Sequence, residues 1–233
     1  MCIRDREEGS KLAPTFVFID PFGWSGFTIK TLSRLLKYEK CEVLVTFMDG
    51  FEMRFLDESK ENSHNELFAS EEWKVARDLP GNERVIFLLN LFVKQLKSIG
   101  KVKYVRTFSM IDGKRHIYDL VFATNGLKGL EVMKEAMWKV DPRGLYIFSD
   151  TTVRQTFLTN LSSHFPEISD LIYEKFKHKT VSREEVHDFV IAETDYVFRT
   201  RPLELLEKKN KIVNVTNRKR NVGYPRGCMI TFS

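Results

Sequence analysis

The sequence predicts an α/β sheet domain followed by a small, mainly helical domain, and three observations carry that expectation. Two apolar, β-branched runs, Thr15–Ile19 and Cys41–Met48, flank a stretch of helical spacing, the pattern of a parallel crossover. Two later strand-like runs, Lys103–Met110 and Arg115–Thr124, are joined through Asp112-Gly113, a hairpin turn signal, so the sheet ends in an antiparallel pair. Past residue 165 the alternation of strand and helix gives way to short helices and two terminal strands.

Taken in order, Thr15–Ile19 is apolar at four of its five positions, which suits a strand covered on both faces. Asp20-Pro21-Phe22-Gly23 ends it, since proline stops the ladder and glycine permits a sharp turn. Ile29, Leu32, Leu35 and Leu36 recur at helical spacing, and Cys41–Met48 is the second strand. The polar stretch 57–80 reads as an excursion with short helices anchored by Leu67, Phe68 and Trp73. A long helix covers Arg84–Ile99, and after the hairpin another covers Leu127–Val140, with Leu127, Leu130, Met133, Ala136 and Met137 on its inner face. Asp141-Pro142 ends that helix. Gly144–Phe148 adds a short strand and Thr152–His164 a helix.

In the last part, Ile168–Phe176 is helical. Ser182 and Glu185 form a capping box that opens a helix with Val186, Phe189 and Val190 inward. Pro202 sits in the first turn of a third helix, which runs to Lys209. Ile212–Val215 and Cys228–Phe232 are strands flanking a basic loop. Three helices followed by a two-stranded ribbon is the winged-helix order. The expected organisation is a disordered or non-native start over 1–13, a sheet domain over 14–164 and a winged-helix domain over 165–233. The opening MCIRDR resembles the adapter-derived ends of assembled reading frames, which leads us to expect that the protein's own sequence begins earlier; an ordinary short tail is the other reading.

Composition narrows the function. The 233 residues are 42% hydrophobic and 30% charged, enough to bury one good core or two small ones. No window is apolar enough to cross a membrane: Val85–Ile99 is broken by Asn90, Lys94, Gln95 and Lys97. Cys2, Cys41 and Cys228 are odd in number and far apart, so they indicate neither a disulfide framework nor a zinc site, and a reducing cytoplasm fits best. His64, His116, His164, His178 and His187 show no metal-ligand spacing, and no nucleophile elbow occurs.

The charge is asymmetric. From Arg199 to Ser233 stand nine basic residues, Arg199, Arg201, Lys208, Lys209, Lys211, Arg218, Lys219, Arg220 and Arg226, against Glu204 and Glu207, a balance of +7. Since the whole chain is +5, the other 198 residues carry −2. A winged helix on nucleic acid needs cations on its last helix and wing, because phosphate neutralisation supplies much of the affinity. These nine are therefore the candidate nucleic-acid contacts; a solvated basic face is the alternative.

Asp20 is the candidate catalytic residue, since ligands of open α/β sheets bind beyond the carboxyl ends of strands. Its alternative role is to cap the turn that follows. Asp49 and Glu52 follow the second strand and either rim a pocket with Asp20 or serve as helix-start carboxylates. Asp20-Pro21-Phe22-Gly23 resembles motif IV of class I S-adenosylmethionine methyltransferases, an acidic residue or asparagine followed by two prolines and an aromatic. That resemblance implies roles for Asp20 and the Pro21 backbone as acceptors from a target amine, with Phe22 and Trp24 as pocket walls. Here Phe22 replaces the second proline and Gly23 the aromatic. The element order matches the fourth to seventh strands of that fold, a Rossmann-like sheet, while no Gly-x-Gly occurs anywhere in the chain.

The runs PTFVFIDPFGWSG, CEVLVTFM, YDLVFATNGLKGLEVMKEAMW and TNRKRNVGYPRGCMITF together resemble the three-Cys-motif partner (TcmP) family, from Pro14 to Phe232. The resemblance implies a methyltransferase-like domain followed by a winged helix, and a partner protein bearing a three-cysteine motif. It also implies S-adenosylmethionine as cofactor of an intact, longer protein, with methyl transfer absent from this stretch alone. A non-catalytic adaptor that docks and positions the three-cysteine partner is the competing expectation.

Overall fold

The computed structural model describes residues 13–21, 28–38, 40–48, 56, 61–112, 115–141, 145–149, 164–218 and 223–233. All of the expected helix Thr152–His164 except His164, the hairpin turn at Gly113, Phe22, Gly23, Trp24, Asp49, Glu52, Lys219 and Arg220 lie outside them. The chain is mixed α/β, and no helix among the described residues is long and apolar enough to cross a membrane. Packing divides it into two compact units, Met1–Gly129 with Phe148–Asp150, and Leu130–Ile147 with Thr151–Ser233. The division falls inside the helix Leu127–Val140.

The first unit is built on a sheet. β1 (Thr15–Ile19) lies parallel to β2 (Cys41–Met48), joined through helix α1 (Ile29–Leu36) as the crossover pattern requires. α1 is capped by Thr28, whose hydroxyl accepts from the Thr31 amide at 3.1 Å, and it buries Ile29, Leu32, Leu35 and Leu36. The polar excursion holds α2 (Glu61–Phe68) and a 3-10 helix (Glu72–Asp78), and α3 (Gly81–Ser98) follows. Leu67, Phe68 and Trp73 are its anchors, with the Trp73 indole donating to Asn65 Oδ1 at 2.7 Å. β3 (Tyr104–Asp112) and β4 (Arg115–Thr124) form the antiparallel hairpin, and β5 (Ile147–Ser149) completes the order β1-β2-β4-β3-β5. β4 is antiparallel to both neighbours, so β1, β2 and β3 all point the same way.

One sheet face carries the core. Cys41, Val43, Val45, Phe47, Val105, Val121 and Ala123 pack there with the apolar sides of α1, α2 and α3. β1 corrects the expectation of a doubly covered strand: Val17 and Ile19 face this core, whereas Phe16 and Phe18 are 53% and 56% exposed. It is the outermost strand of the described sheet, and its alternate residues point away from the core-bearing face.

α4 (Leu127–Val140) has the predicted bounds but a different inner face: Leu130, Lys134, Met137 and Trp138 are buried, while Ala136 is exposed. The reason is specific. The Lys134 ammonium is fully buried and donates to the carbonyls of Val190, Ile191 and Thr194 at 3.1, 3.0 and 2.9 Å. Trp138 accompanies it, its indole donating to Asp195 O at 3.0 Å. Beyond the helix, Asp141 accepts from the Leu145 and Ile147 amides, both at 3.1 Å.

The rest of the second unit comprises α5 (Phe165–Phe176), β6 (Thr180–Ser182), α6 (Arg183–Glu193), α7 (Arg201–Lys208), β7 (Ile212–Thr216) and β8 (Met229–Phe232). Its sheet has three strands in the order β6-β8-β7, not two. β6 escaped prediction because three residues with only Val181 buried show no periodicity; pairing of Val181 with Ile230 makes it a strand. The capping box is present: Ser182 Oγ accepts from the Glu185 amide at 3.1 Å, and Glu185 accepts from the Ser182 amide at 2.7 Å. The bonds that the Ser182 amide and hydroxyl donate to the Glu185 carboxylate hold it below its ordinary value. In α6, Ile191 takes the core place expected of Phe189, which lies half-buried with its ring edge-on to Phe176.

Candidate functional site

Because β1 ends at Ile19, Asp20 stands immediately past the carboxyl end of a strand, where ligands of open α/β sheets bind. It is exposed, and Pro21 is half-buried. Register then brings other groups to the same edge. Phe47 of β2 lies opposite Asp119 of β4, which lies opposite Ser109 of β3. Asp119 shares the core face with Val121 and Ala123, and its side chain is only 1% exposed. The Ser109 hydroxyl donates to Asp119 Oδ1 at 2.6 Å. His116 Nε2 stands 3.2 Å from Oδ2, an ion-pair distance without hydrogen-bond angles. A bulge between Met110 and Ile111 leaves Ile117 as the extra residue and returns His116 to the side of Asp119.

The sequence pattern does not single out this trio. Its signal is an acid at an inward position of an otherwise apolar alternation, Asp119 with Val121 and Ala123, but the approach of His116 depends on a bulge that no pattern announces. The two aspartates have opposite settings and should respond oppositely. Asp119→Ala strands the Ser109 hydroxyl and opens a gap, and is expected to cost about 2 kcal/mol. Asp20→Ala, at an exposed position, should stay within about 0.5 kcal/mol. Urea denaturation of the two variants checks this, and equal losses would refute it.

S-adenosylmethionine does not fit the residues described. The carboxyl edge offers an exposed Asp20 and an Asp119 already engaged by Ser109, and the sequence contains no Gly-x-Gly turn of the kind through which backbone amides approach a cofactor. No chemical step through that group follows from these residues. A cleft of about 730 Å³ opens beside α1 and α2, lined in part by Thr28, Lys30, Arg34, Asn62 and Asn65, and its lining includes neither Asp20 nor Asp119. Cys41 and Cys228 are buried free thiols, each pushed up in pKa chiefly by burial, and no metal-binding cluster occurs among the described residues.

The second candidate surface is the basic tail, and the structure sorts its cations into two groups. Arg199 pairs with Glu135 at 2.9 Å, Arg201 with Glu204 at 2.6 Å and Arg218 with Glu207 at 2.6 Å. Lys211 lies 3.9 Å from Asp170 and over the Tyr173 ring. By contrast Lys208, Lys209 and Arg226 are exposed and make no ion pair among the described residues.

Arg218 belongs to a clamp. Its side chain is 9% exposed and stacks over Tyr224, whose hydroxyl donates to Leu203 O at 3.1 Å and to Glu207 at 2.8 Å. Partial burial works against ionisation of Glu207, but the bonds from Arg218 and Tyr224 outweigh it and hold the carboxyl below its ordinary value. Burial, then the bond to Glu207, pushes the Tyr224 phenol well above the usual tyrosine range. The clamp therefore ties α7 to the connection between β7 and β8.

No family model, curated protein or solved structure matches the chain.

Proposed function

We propose that the chain is part of a TcmP-like protein in which a methyltransferase-type sheet carries a basic winged helix that contacts nucleic acid in the cytoplasm. One observation carries the reading. In the second unit α5, β6, α6, α7, β7 and β8 follow one another with the sheet order β6-β8-β7, an order that supports a winged-helix reading. Cations without an ion pair among the described residues lie at the end of its third helix and in the β7–β8 connection. The order β1-β2-β4-β3 supports the other half, since an antiparallel strand between two parallel ones matches the expected fourth to seventh strands of a methyltransferase sheet, with β5 added beyond β3.

Binding of a labelled duplex at low salt tests this. Replacing Lys208, Lys209 and Arg226 together by alanine is expected to weaken binding and to flatten the plot of log K against log salt by up to about 2.7, roughly 0.9 for each phosphate no longer neutralised. An unchanged slope would exclude these residues as contacts.

The misfit of S-adenosylmethionine favours a second reading, in which the sheet is a non-catalytic adaptor docking a three-Cys-motif protein and the winged helix positions it. Co-purification with that partner, with no methyl transfer by the complex, supports the adaptor.

A further inference from the structure

Resting on the winged-helix reading above, we propose that the second unit grips the phosphate backbone of duplex DNA without reading its base sequence. A winged helix that reads bases does so with side chains of its third helix in the major groove, where the discriminating contacts are bidentate donors and acceptors from arginine, asparagine or glutamine.

The third helix here, α7, is RPLELLEK, with no asparagine, glutamine, serine or threonine. Its one arginine is engaged, Arg201 Nη1 donating to Glu204 Oε2 at 2.6 Å. Its two cations, Arg201 and Lys208, equal Glu204 and Glu207 in number, so the helix carries no net formal charge. Glu204 remains partly exposed, and a carboxylate facing the groove repels phosphate rather than guiding the helix in.

The cations that make no ion pair among the described residues stand at the margins. Lys208 and Lys209 close the helix. Arg226 sits at the second position of a tight turn closed by the Cys228 amide on Pro225 O at 3.3 Å, with Gly227 at φ 76° in the left-handed conformation such a turn needs. The turn is anchored on both sides: Asn217 donates to Gly227 O at 3.2 Å, and the Gly227 amide donates to the Glu184 carboxylate at 3.2 Å. A cation on a rigid turn suits a fixed phosphate position, whereas lysines supply point charge without sequence discrimination.

Fluorescence anisotropy of the whole chain with GC-rich and AT-rich duplexes of equal length tests the inference. The dissociation constants are expected to agree within about threefold, less than one mismatched contact usually costs a base-reading protein. Glu204→Gln, which frees Arg201, is expected to tighten binding to every duplex and to steepen the salt slope by about 0.9. Circular dichroism confirms that the variant keeps its helices. A spread of tenfold or more between duplexes, a weakening by Glu204→Gln, or preference for RNA overturns the inference while leaving nucleic-acid binding in place. Absence of binding to any duplex at low salt overturns the winged-helix reading itself, and this inference with it.

Discussion

Replacing Lys134 with methionine is expected to lower the stability of the second compact unit by about 3 kcal/mol, a large effect for a single substitution. Methionine preserves the length and the apolar stem, so little of the loss comes from packing. What disappears is an ammonium whose protons meet three carbonyls at 2.9 to 3.1 Å, at the carboxyl end of α6. Those carbonyls belong to the last turn of the helix and the residues just past it, where backbone acceptors have no intrahelical donor and the helix dipole favours a cation. Because the site is buried, water cannot replace the missing donor. A shift of the urea midpoint measures the cost, and a loss under about 1 kcal/mol would show that Lys134 is incidental to the fold.

Glu207→Gln is expected to cost about 1.5 kcal/mol near neutral pH, held to that figure because the carboxylate is partly exposed and screened by solvent. The sign with pH follows from the lowered carboxyl. Its pKa is depressed in the fold relative to the ordinary 4.5, so its contribution is complete above that value and is lost as pH falls through the lower folded value. The gap between native protein and variant should therefore be widest above about pH 5 and should narrow as the pH falls below the ordinary carboxyl range. Parallel urea titrations across that range test it, and a gap that stays constant with pH would remove the charge of Glu207 from the account. Arg218 and Tyr224 carry the other side of the clamp, so Glu207→Gln should also loosen the β7–β8 connection, seen as faster amide exchange at Tyr224.

The two cases were not announced by the sequence, whereas other features were. The four apolar residues of α1 and the Ser182–Glu185 capping box were legible because they depend on spacing within one segment. The antiparallel hairpin was legible from Asp112-Gly113 and two apolar runs. Lys134 was not legible, because its acceptors lie 56 to 60 residues away on another helix, and a lysine between apolar residues reads as a break in a stripe rather than part of it. The pairing of Arg218 with Glu207 is equally hidden from the sequence, since it joins α7 to the connection between β7 and β8 across eleven residues.

The sequence by itself determined most of the elements and their local direction: the core of each helix though not always its first turn, which strands run parallel through a crossover, and where the positive charge is concentrated. These follow from short-range sterics, capping and hydrophobic period, which act within about ten residues. The tertiary structure decided which charged groups are used up. It buried Asp119 at the carboxyl edge, exposed Phe16 and Phe18 on the outer strand, and neutralised Arg199, Arg201 and Arg218 while leaving Lys208, Lys209 and Arg226 open among the described residues. Pairing depends on distances between segments far apart in the chain, and charge counted along a sequence contains no such distances.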